Sequence, residues 1–532
     1  MSNRININPV EAAKRVAGYA PSSIALIYDD VEISYSELLT EAGQLAAALR
    51  ARGVSEGDRV AYLGLNSRTF ISTMLAAWWV GGVFEPFNFR LAPREVSVLL
   101  ERSTPKVLVT EPCHQDVVET LAGYEGFDPD AIVLVLVDTD PAVPVTAELR
   151  TGWTLLSDFL ASAESTPSGA AAVPDIMPRF QDDLAILMFT SGTTGVPKGV
   201  QLSFGNLWWN SVNVDSLVDT RRGDVNLAVS PLFHIGGLNA LTLRVLARGG
   251  TTVIRRAFDP RRTLRDIEQY GVAQAFLVPA QLSAMQQTDE FVRCDISGLR
   301  SLICAGAPVP PVLLKQYESR GVRVQQAWGL TETAPFATYL PSELTYEKAG
   351  SCGIPMPYTQ VRIVDPATGT DVAGSGVTGE MWVRGPNVTP GYWNDEAATA
   401  AAFKDGWFRS GDIGYRDEDG FFYIVDRLKD MIVTGGENVY PAEVERALME
   451  FPGVLDVAVV GVEDSRWGES VVAVMSCVDG TVPDIEEVRA FTSTYLARYK
   501  LPKKLVLTGS VPRNGAGKLN KAAIREMAIE EN

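Results

Sequence analysis

The sequence predicts an α/β protein, with a largely parallel sheet in its long N-terminal part and a small α+β domain at its C-terminal end. Strand-like and helical stretches alternate through residues 1–180, the pattern of stacked α/β layers. Several later strand-like runs end in small or polar residues, where an open α/β sheet builds its ligand crevice. From Gly379 the pattern changes to hairpins, and Asp426–Glu445 (DRLKDMIVTGGENVYPAEVE) then combines charges, a Gly-Gly turn and a helix start at Pro441. That combination marks a boundary. A chain of 532 residues is too long for one core, so roughly two to four domains or subdomains are expected.

Taken in order, Ser36–Arg52 spaces Leu38, Leu39, Leu45 and Leu49 as a helix does, with Tyr35-Ser36 as its N-cap. Arg59–Gly64 reads as a strand, Phe70–Gly81 as an apolar helix and Lys106–Thr110 as another strand. Ala161–Pro178, rich in Ala, Ser and Pro, reads as a surface connector. Ala185–Phe189 is a short buried strand opening into Thr190, Ser191, Gly192, Thr193, Thr194 and Gly195, then Val196-Pro197-Lys198-Gly199. Small hydroxyl residues between glycines let backbone N–H groups converge on an anion, and Lys198 adds a mobile positive charge. A phosphate loop and a solvated turn between two strands are the two readings. The spacing differs from the common nucleotide loop that ends in Lys-Ser/Thr.

Beyond the loop, Asn226–Ser230 is strand-like and runs into Pro231-Leu232-Phe233-His234-Ile235-Gly236-Gly237. His234 is either a satisfied structural histidine or, with two glycines beside it, part of a cavity wall. Leu299–Cys304 ends in Ala305-Gly306-Ala307-Pro308, and Val322–Ala327 ends in Trp328-Gly329-Leu330-Thr331-Glu332. Glu332 stands alone in an uncharged turn, as a helix-start carboxylate or as a magnesium ligand. Asp417-Glu418-Asp419-Gly420 is a hairpin turn, and Pro512–Lys518 is a flexible loop whose lysine, by itself, reads as a surface side chain.

Composition narrows the function. A net charge of −18 argues against nucleic acid and anionic membrane as main partners. The five cysteines are scattered, odd in number and without metal-like spacing, which points to reduced thiols and a cytoplasmic location. Two histidines exclude a His-rich metal site. The first twenty residues hold no apolar signal core, and the most apolar run, Met74–Phe84, is too short to span a bilayer.

With these motifs in this order, the chain resembles the acyl-CoA synthetase branch of the acyl-adenylate-forming superfamily, which includes fatty-acyl, 4-coumarate and feruloyl CoA ligases and luciferase. The resemblance runs from Tyr35 to Lys521. It implies a large N-terminal region, residues 1–428, of layered α/β subdomains plus a β-barrel-like subdomain. A small mobile α+β domain, residues 429–532, would follow, with the active site between the two. It implies ATP, Mg2+ and coenzyme A as cofactors, a small-molecule carboxylic acid as partner, no nucleic acid and no integral membrane segment, and it leaves a homodimer open.

On matching positions, the resemblance gives Thr190 to Lys198 the β- and γ-phosphates. Gly306, Ala307 and Pro308 would line the adenine, with Trp328 and Gly329 where a ring stacks on it. Thr331 and Glu332 would contact phosphate and magnesium, and Asp412 with Arg427 would grip the ribose hydroxyls. Lys429 would be the hinge, and Gly435 and Gly436 would line the CoA tunnel. Lys518 would bridge carboxylate and α-phosphate, making Lys518, Glu332 and Lys198 the catalytic set. His234, Gly236, Gly237, Ala240 and Ala305 would form the acyl pocket, whose missing side chains suggest a bulky, mostly apolar acid, either medium-to-long-chain or ring-bearing. The glycines serving only a backbone turn is the alternative.

The chain departs from the commonest family pattern where Phe204 replaces a His and where Trp328 replaces a Tyr, both expected near the nucleotide. Two other functions fit the same motifs: a ligase impaired in adenylation that thioesterifies a supplied acyl-adenylate, and a relative that binds adenylates without using CoA.

Overall fold

The computed structural model describes residues 4–120, 131–143, 149–164, 173–190, 197–306, 309–434, 437–464, 468–478, 481–493, 496, 498–514 and 518–530. The chain divides into two compact units, Met1–Val361 with Val383–Phe408, and Arg362–Trp382 with Arg409–Asn532. No described helix is long and apolar enough to cross a membrane.

Two sheets organise the first unit. In the nine-stranded sheet the central strands Thr251–Ile254, Val225–Ala228, Gln274–Leu277, Ser301–Cys304 and Val324–Gly329 run parallel, while Phe336–Tyr339 and Ile354–Pro355 close one edge antiparallel. In the seven-stranded sheet Arg59–Leu63, Val83–Phe87, Val107–Thr110 and Val133–Leu136 run parallel, with the hairpin Leu184–Thr190 and Lys198–Ser203 at the other edge. Strands covered on both faces read as unbroken apolar runs, as Val107-Leu108-Val109 does, all fully buried.

The helices follow the spacing with small shifts. The first long one runs Tyr35–Ala51, and its cap is Ser34 rather than Ser36: Glu37 N donates to Ser34 Oγ at 3.2 Å, and Ser34 N donates to the Glu37 carboxylate at 2.8 Å. Tyr35 is drawn inside because its hydroxyl bonds the carbonyls of Leu246 and Gly250, at 2.9 and 2.8 Å. The apolar helix is Arg68–Trp79, buried all round, and Trp78 Nε1 donates to Ala185 O at 2.8 Å. Helix Leu156–Glu164 takes up the start of the predicted connector.

The C-terminal part of the second unit has a two-sided core of its own. The long antiparallel pair Val454–Asp464 and Gly468–Cys477 alternates its side chains. Val457 and Val459 pack with Val444, Leu448 and Val488 on one face, whereas Ala458 and Val460 pack with Val506, Ile524 and Ala528 on the other. The period of two places helix Pro441–Met449 over one face and Lys521–Glu530 over the other. Ahead of this core the predicted hairpin turn is present: Asp417 Oδ1 accepts from the N–H groups of Asp419 and Phe421, and Arg416 pairs with Phe422.

Candidate active site

The buried strand Leu184–Thr190 returns as Lys198–Ser203, and the antiparallel register sets Lys198 directly across from Thr190. A hydroxyl and an ammonium thus flank the mouth of the connecting loop. Ser191, Gly192, Thr193, Thr194 and Gly195 lie outside the described residues.

Tyr392, which the motif reading missed, joins this strand to Glu332. Its ring lies 4.9 Å from Lys198 Nζ, and its hydroxyl donates to Glu332 Oε1 at 2.9 Å. The main chain holds it from both sides. Tyr392 bridges Val200, flanked by Gln201 N donating to Gly391 O and Trp393 N donating to Gly199 O. Thr389 N donates to Glu332 O at 2.8 Å. Burial first, and the Glu332 carboxylate second, push the Tyr392 phenol far above its ordinary range, so it stays a protonated donor.

Glu332 and Thr331 sit half-buried in the short helical turn Thr331–Thr333, directly after the strand that ends in Trp328 and Gly329. Gly329 is a steric necessity, because a Cβ there would lie 1.8 Å from Pro335 O. Buried asparagines brace the turn: Asn387 Nδ2 donates to Thr333 O and Phe336 O, both at 2.9 Å, and Asn239 Nδ2 donates to Ala334 O at 2.6 Å. Asn210 Nδ2 in turn holds Asn239 O at 2.7 Å. Sequence gives no sign of these braces, whose partners lie far off along the chain. For Tyr392, the only local signal is an aromatic pair after Gly391.

Of the residues expected to line an acyl pocket, Ala240 and Ala305 come together, but the space expected over the glycines is occupied. A Cβ on Gly236 would lie 2.7 Å from Phe276 Cζ, so the Phe276 ring rests on that glycine. On Gly237 it would lie 2.3 Å from Pro231 O, which makes that glycine a close-approach position of the backbone. The volume expected there is corrected accordingly, since a ring and a carbonyl fill it. Ala240 and Ala305 share an apolar cluster with Leu241, Ile303, Ala327 and Phe336, and half-buried Phe276 packs against it. His234 is exposed, its ring 4.3 Å from Phe233, immediately before helix Ile235–Asn239. Gly306 is exposed with φ +92°, a left-handed conformation that favours glycine. Ala307 and Pro308 lie outside the described residues. Phe204, expected near the nucleotide, is a core residue: 1% exposed, it meets Trp78 edge-on at 5.5 Å.

In the second unit Asp412 is buried and pairs in register with Arg427 across two antiparallel strands. Lys429 lies in the helical turn Leu428–Asp430, and Gly435 and Gly436 fall outside the described residues. Lys518 is exposed, at the close of a small loop where its N–H donates to Asn514 Oδ1 at 3.0 Å.

One cluster has metal-ligand chemistry without a metal's geometry. The ligand atoms of Glu111, Cys113 and His114 lie within 4.8 Å of one another. The Glu111 carboxylate, however, is engaged by the Arg256 guanidinium at 2.7 and 2.9 Å and by the Tyr62 hydroxyl at 3.0 Å. A cation there would have to displace the half-buried Arg256 from a fully buried carboxylate, so the cluster reads as a structural ion pair. Burial lowers the His114 pKa and raises that of Cys113, which favours both neutral forms.

Residues 13–393 match the family model of AMP-binding enzymes, and residues 443–518 match that of the AMP-binding enzyme C-terminal domain. The chain is 40% identical over 511 residues to a feruloyl-CoA synthase of Amycolatopsis sp., covering 96% of this chain and 97% of the relative. It is 39% identical over 520 residues to an indoleacetate–CoA ligase of Aromatoleum aromaticum, covering 97% of each. Among solved structures it resembles o-succinylbenzoate CoA synthetase from Bacillus subtilis in complex with its acyl-adenylate intermediate, with TM-score 0.81 and 31% identity over 97% of each chain.

Proposed function

The chain belongs to the AMP-binding enzyme family, in its acyl-CoA synthetase branch, and from that premise we propose that it joins a bulky, mostly apolar carboxylic acid to coenzyme A through an acyl-adenylate. The observation that carries this reading is the Lys198–Tyr392–Glu332 arrangement beside Thr190. A positive charge, a hydroxyl and an oriented carboxylate lie close together, the groups that a triphosphate and its cation call for.

The first half-reaction forms a bond between a carboxylate oxygen and the α-phosphorus of ATP, and breaks the bond from that phosphorus to the bridging oxygen of the pyrophosphate leaving group. Lys198 and Lys518 act by positioning and by countering the charge spread over phosphate oxygens. Glu332 offers the hard oxygen that magnesium prefers, in a half-buried and hydrogen-bonded carboxylate. When bound, the ion supplies further charge neutralisation at the phosphates. Asp412 and Arg427 suit two vicinal ribose hydroxyls, one accepting and the other donating. In the second half-reaction the CoA thiol loses its proton, its sulfur attacks the acyl carbonyl, and AMP leaves. Residues 429–532 are proposed to move between the halves about Lys429. A Lys429→Pro variant, with φ fixed and a donor removed, is expected to lose thioester formation more than adenylation. Equal losses in the two halves, assayed separately, would remove Lys429 from the hinge.

The acid's character rests on the apolar cluster around Ala240, Ala305 and Phe276, and two relatives named for ring-bearing acids, ferulate and indoleacetate, support it. Its upper size is set by the Phe276 ring, not by Gly236. Phe276→Ala is expected to cost the best wild-type acid about tenfold in kcat/KM through lost apolar contact, while longer or wider acids gain. A drop of the same size for every acid would take Phe276 out of the pocket. Placing the Phe204 ring in the core supports a full two-step ligase over an adenylation-impaired one, because its loss of histidine chemistry falls on packing. The decisive experiment is a panel of acids assayed for ATP–pyrophosphate exchange and for CoA-thioester formation. Both activities with the same apolar acid are expected; thioester only from supplied acyl-AMP, or neither product, would overturn the reading.

A further inference from the structure

We propose that Tyr392 is a positioning residue for adenylation, holding the Glu332 carboxylate with its hydroxyl and the Lys198 ammonium with its ring face; this rests on the ligase reading above. One side chain thereby fixes the distance between the phosphate-binding cation and the magnesium-binding carboxylate.

The geometry supports a device more than a chance contact. The hydroxyl-to-carboxylate bond of 2.9 Å has a charged acceptor and a donor 8% exposed, so water competes weakly for it. The carboxylate is held in one rotamer, and the orientation of a ligating carboxylate tunes metal affinity. On the other side, Lys198 has a long flexible stem that a ring face 4.9 Å away steadies by cation–π attraction. The backbone fixes the tyrosine to both partners. Its own bridge to Val200 ties it to the Lys198 strand, and the Thr389–Glu332 bond of 2.8 Å ties its segment to the carboxylate's turn. Tyr392 therefore cannot move away from one charge without disturbing its hold on the other.

Two components can be removed separately. Tyr392→Phe deletes the hydroxyl and keeps the ring, and Tyr392→Leu deletes both. The half-saturating Mg2+ concentration for ATP–pyrophosphate exchange is expected to rise roughly tenfold in Tyr392→Phe, the scale of one hydrogen bond to a charged group. In calorimetric titrations the gain in ATP affinity on adding Mg2+ should shrink by a similar factor, a measurement that needs no acid. Tyr392→Leu should also weaken ATP binding in the absence of Mg2+, because Lys198 loses its support. Thioester formation from supplied acyl-AMP should stay within about twofold of wild type. In a Glu332→Gln background the Tyr392→Phe change should add almost nothing, since the hydroxyl acts through the carboxylate.

A wild-type Mg2+ dependence in Tyr392→Phe would overturn the proposal, as would full additivity with Glu332→Gln. So would equal losses in both half-reactions accompanied by a lower melting point, the mark of a purely structural tyrosine. Failure of the wild-type protein to exchange with any acid while still binding MgATP would instead count against the ligase reading.

Discussion

Lys518→Ala is expected to slow adenylation by roughly a hundredfold or more, the cost of removing one preorganised charge donor from a phosphoryl-transfer step, and to leave thioester formation from acyl-AMP nearly unchanged. The side chain is exposed and its loop is held by other groups. Asn514 N donates to Lys518 O at 2.8 Å, Lys518 N donates to Asn514 Oδ1, and Arg513 bridges Leu519. All these contacts use main chain or Asn514, so alanine at 518 keeps them. The loss should appear in kcat for exchange more than in the affinity for ATP, because the lysine is asked to meet charge that builds up in the transition state. Arginine at 518 should recover only a part, since a planar fork replaces a compact ammonium. Equal losses in both half-reactions would show that Lys518 is not specific to the first.

The layered fold was legible because its signal is local. The unbroken apolar run Val107–Val109 and the 3.6-residue period in Tyr35–Ala51 reflect which faces are covered, and covering is what the strand and helix do. Motifs at strand ends were legible for the same reason, as Thr190 ends a largely buried strand and Glu332 lies three residues beyond another. What failed was anything decided by a distant partner. Tyr35-Ser36 reads locally as the cap, but Tyr35 is pulled inward by the carbonyls of Leu246 and Gly250 and the cap falls on Ser34. Gly236 looked like open space, yet the ring that occupies it comes from Phe276, forty residues later. Phe204 looked like an altered nucleotide contact, but Trp78 makes it core. Tyr392 carries two of the site's contacts and has no charge or motif to announce it.

Glu85 lies outside that site and yields the largest stability effect expected. It stands in the middle of Val83–Phe87, paired with Ala61 on a strand buried along its whole length, and it is fully buried itself. Neither carboxyl oxygen has a hydrogen-bond partner. Ser103 Oγ is nearby but donates to Leu99 O at 2.8 Å, and the Arg59 guanidinium is committed to the carbonyls of Ser103, Gly57 and Thr104. Burial therefore outweighs both neighbours and lifts the carboxyl to about 8. With an unfolded value near 4.3, the folded chain keeps a proton that the unfolded chain has lost. Stability should thus be greatest below about pH 4.5 as far as this group is concerned, fall as pH rises towards 8, and level off above. The window spans several kcal/mol at about 1.4 kcal/mol per pH unit. Glu85→Met, similar in volume and without a polar group to bury, is expected to stabilise the first unit by about 3 kcal/mol at pH 7.5 and by much less at pH 5. The measurement is the denaturant midpoint of the first unit's transition for both proteins across that range. Parallel pH profiles would mean that Glu85 is ionised in the folded chain and has found a partner, and the neutral buried acid would be abandoned.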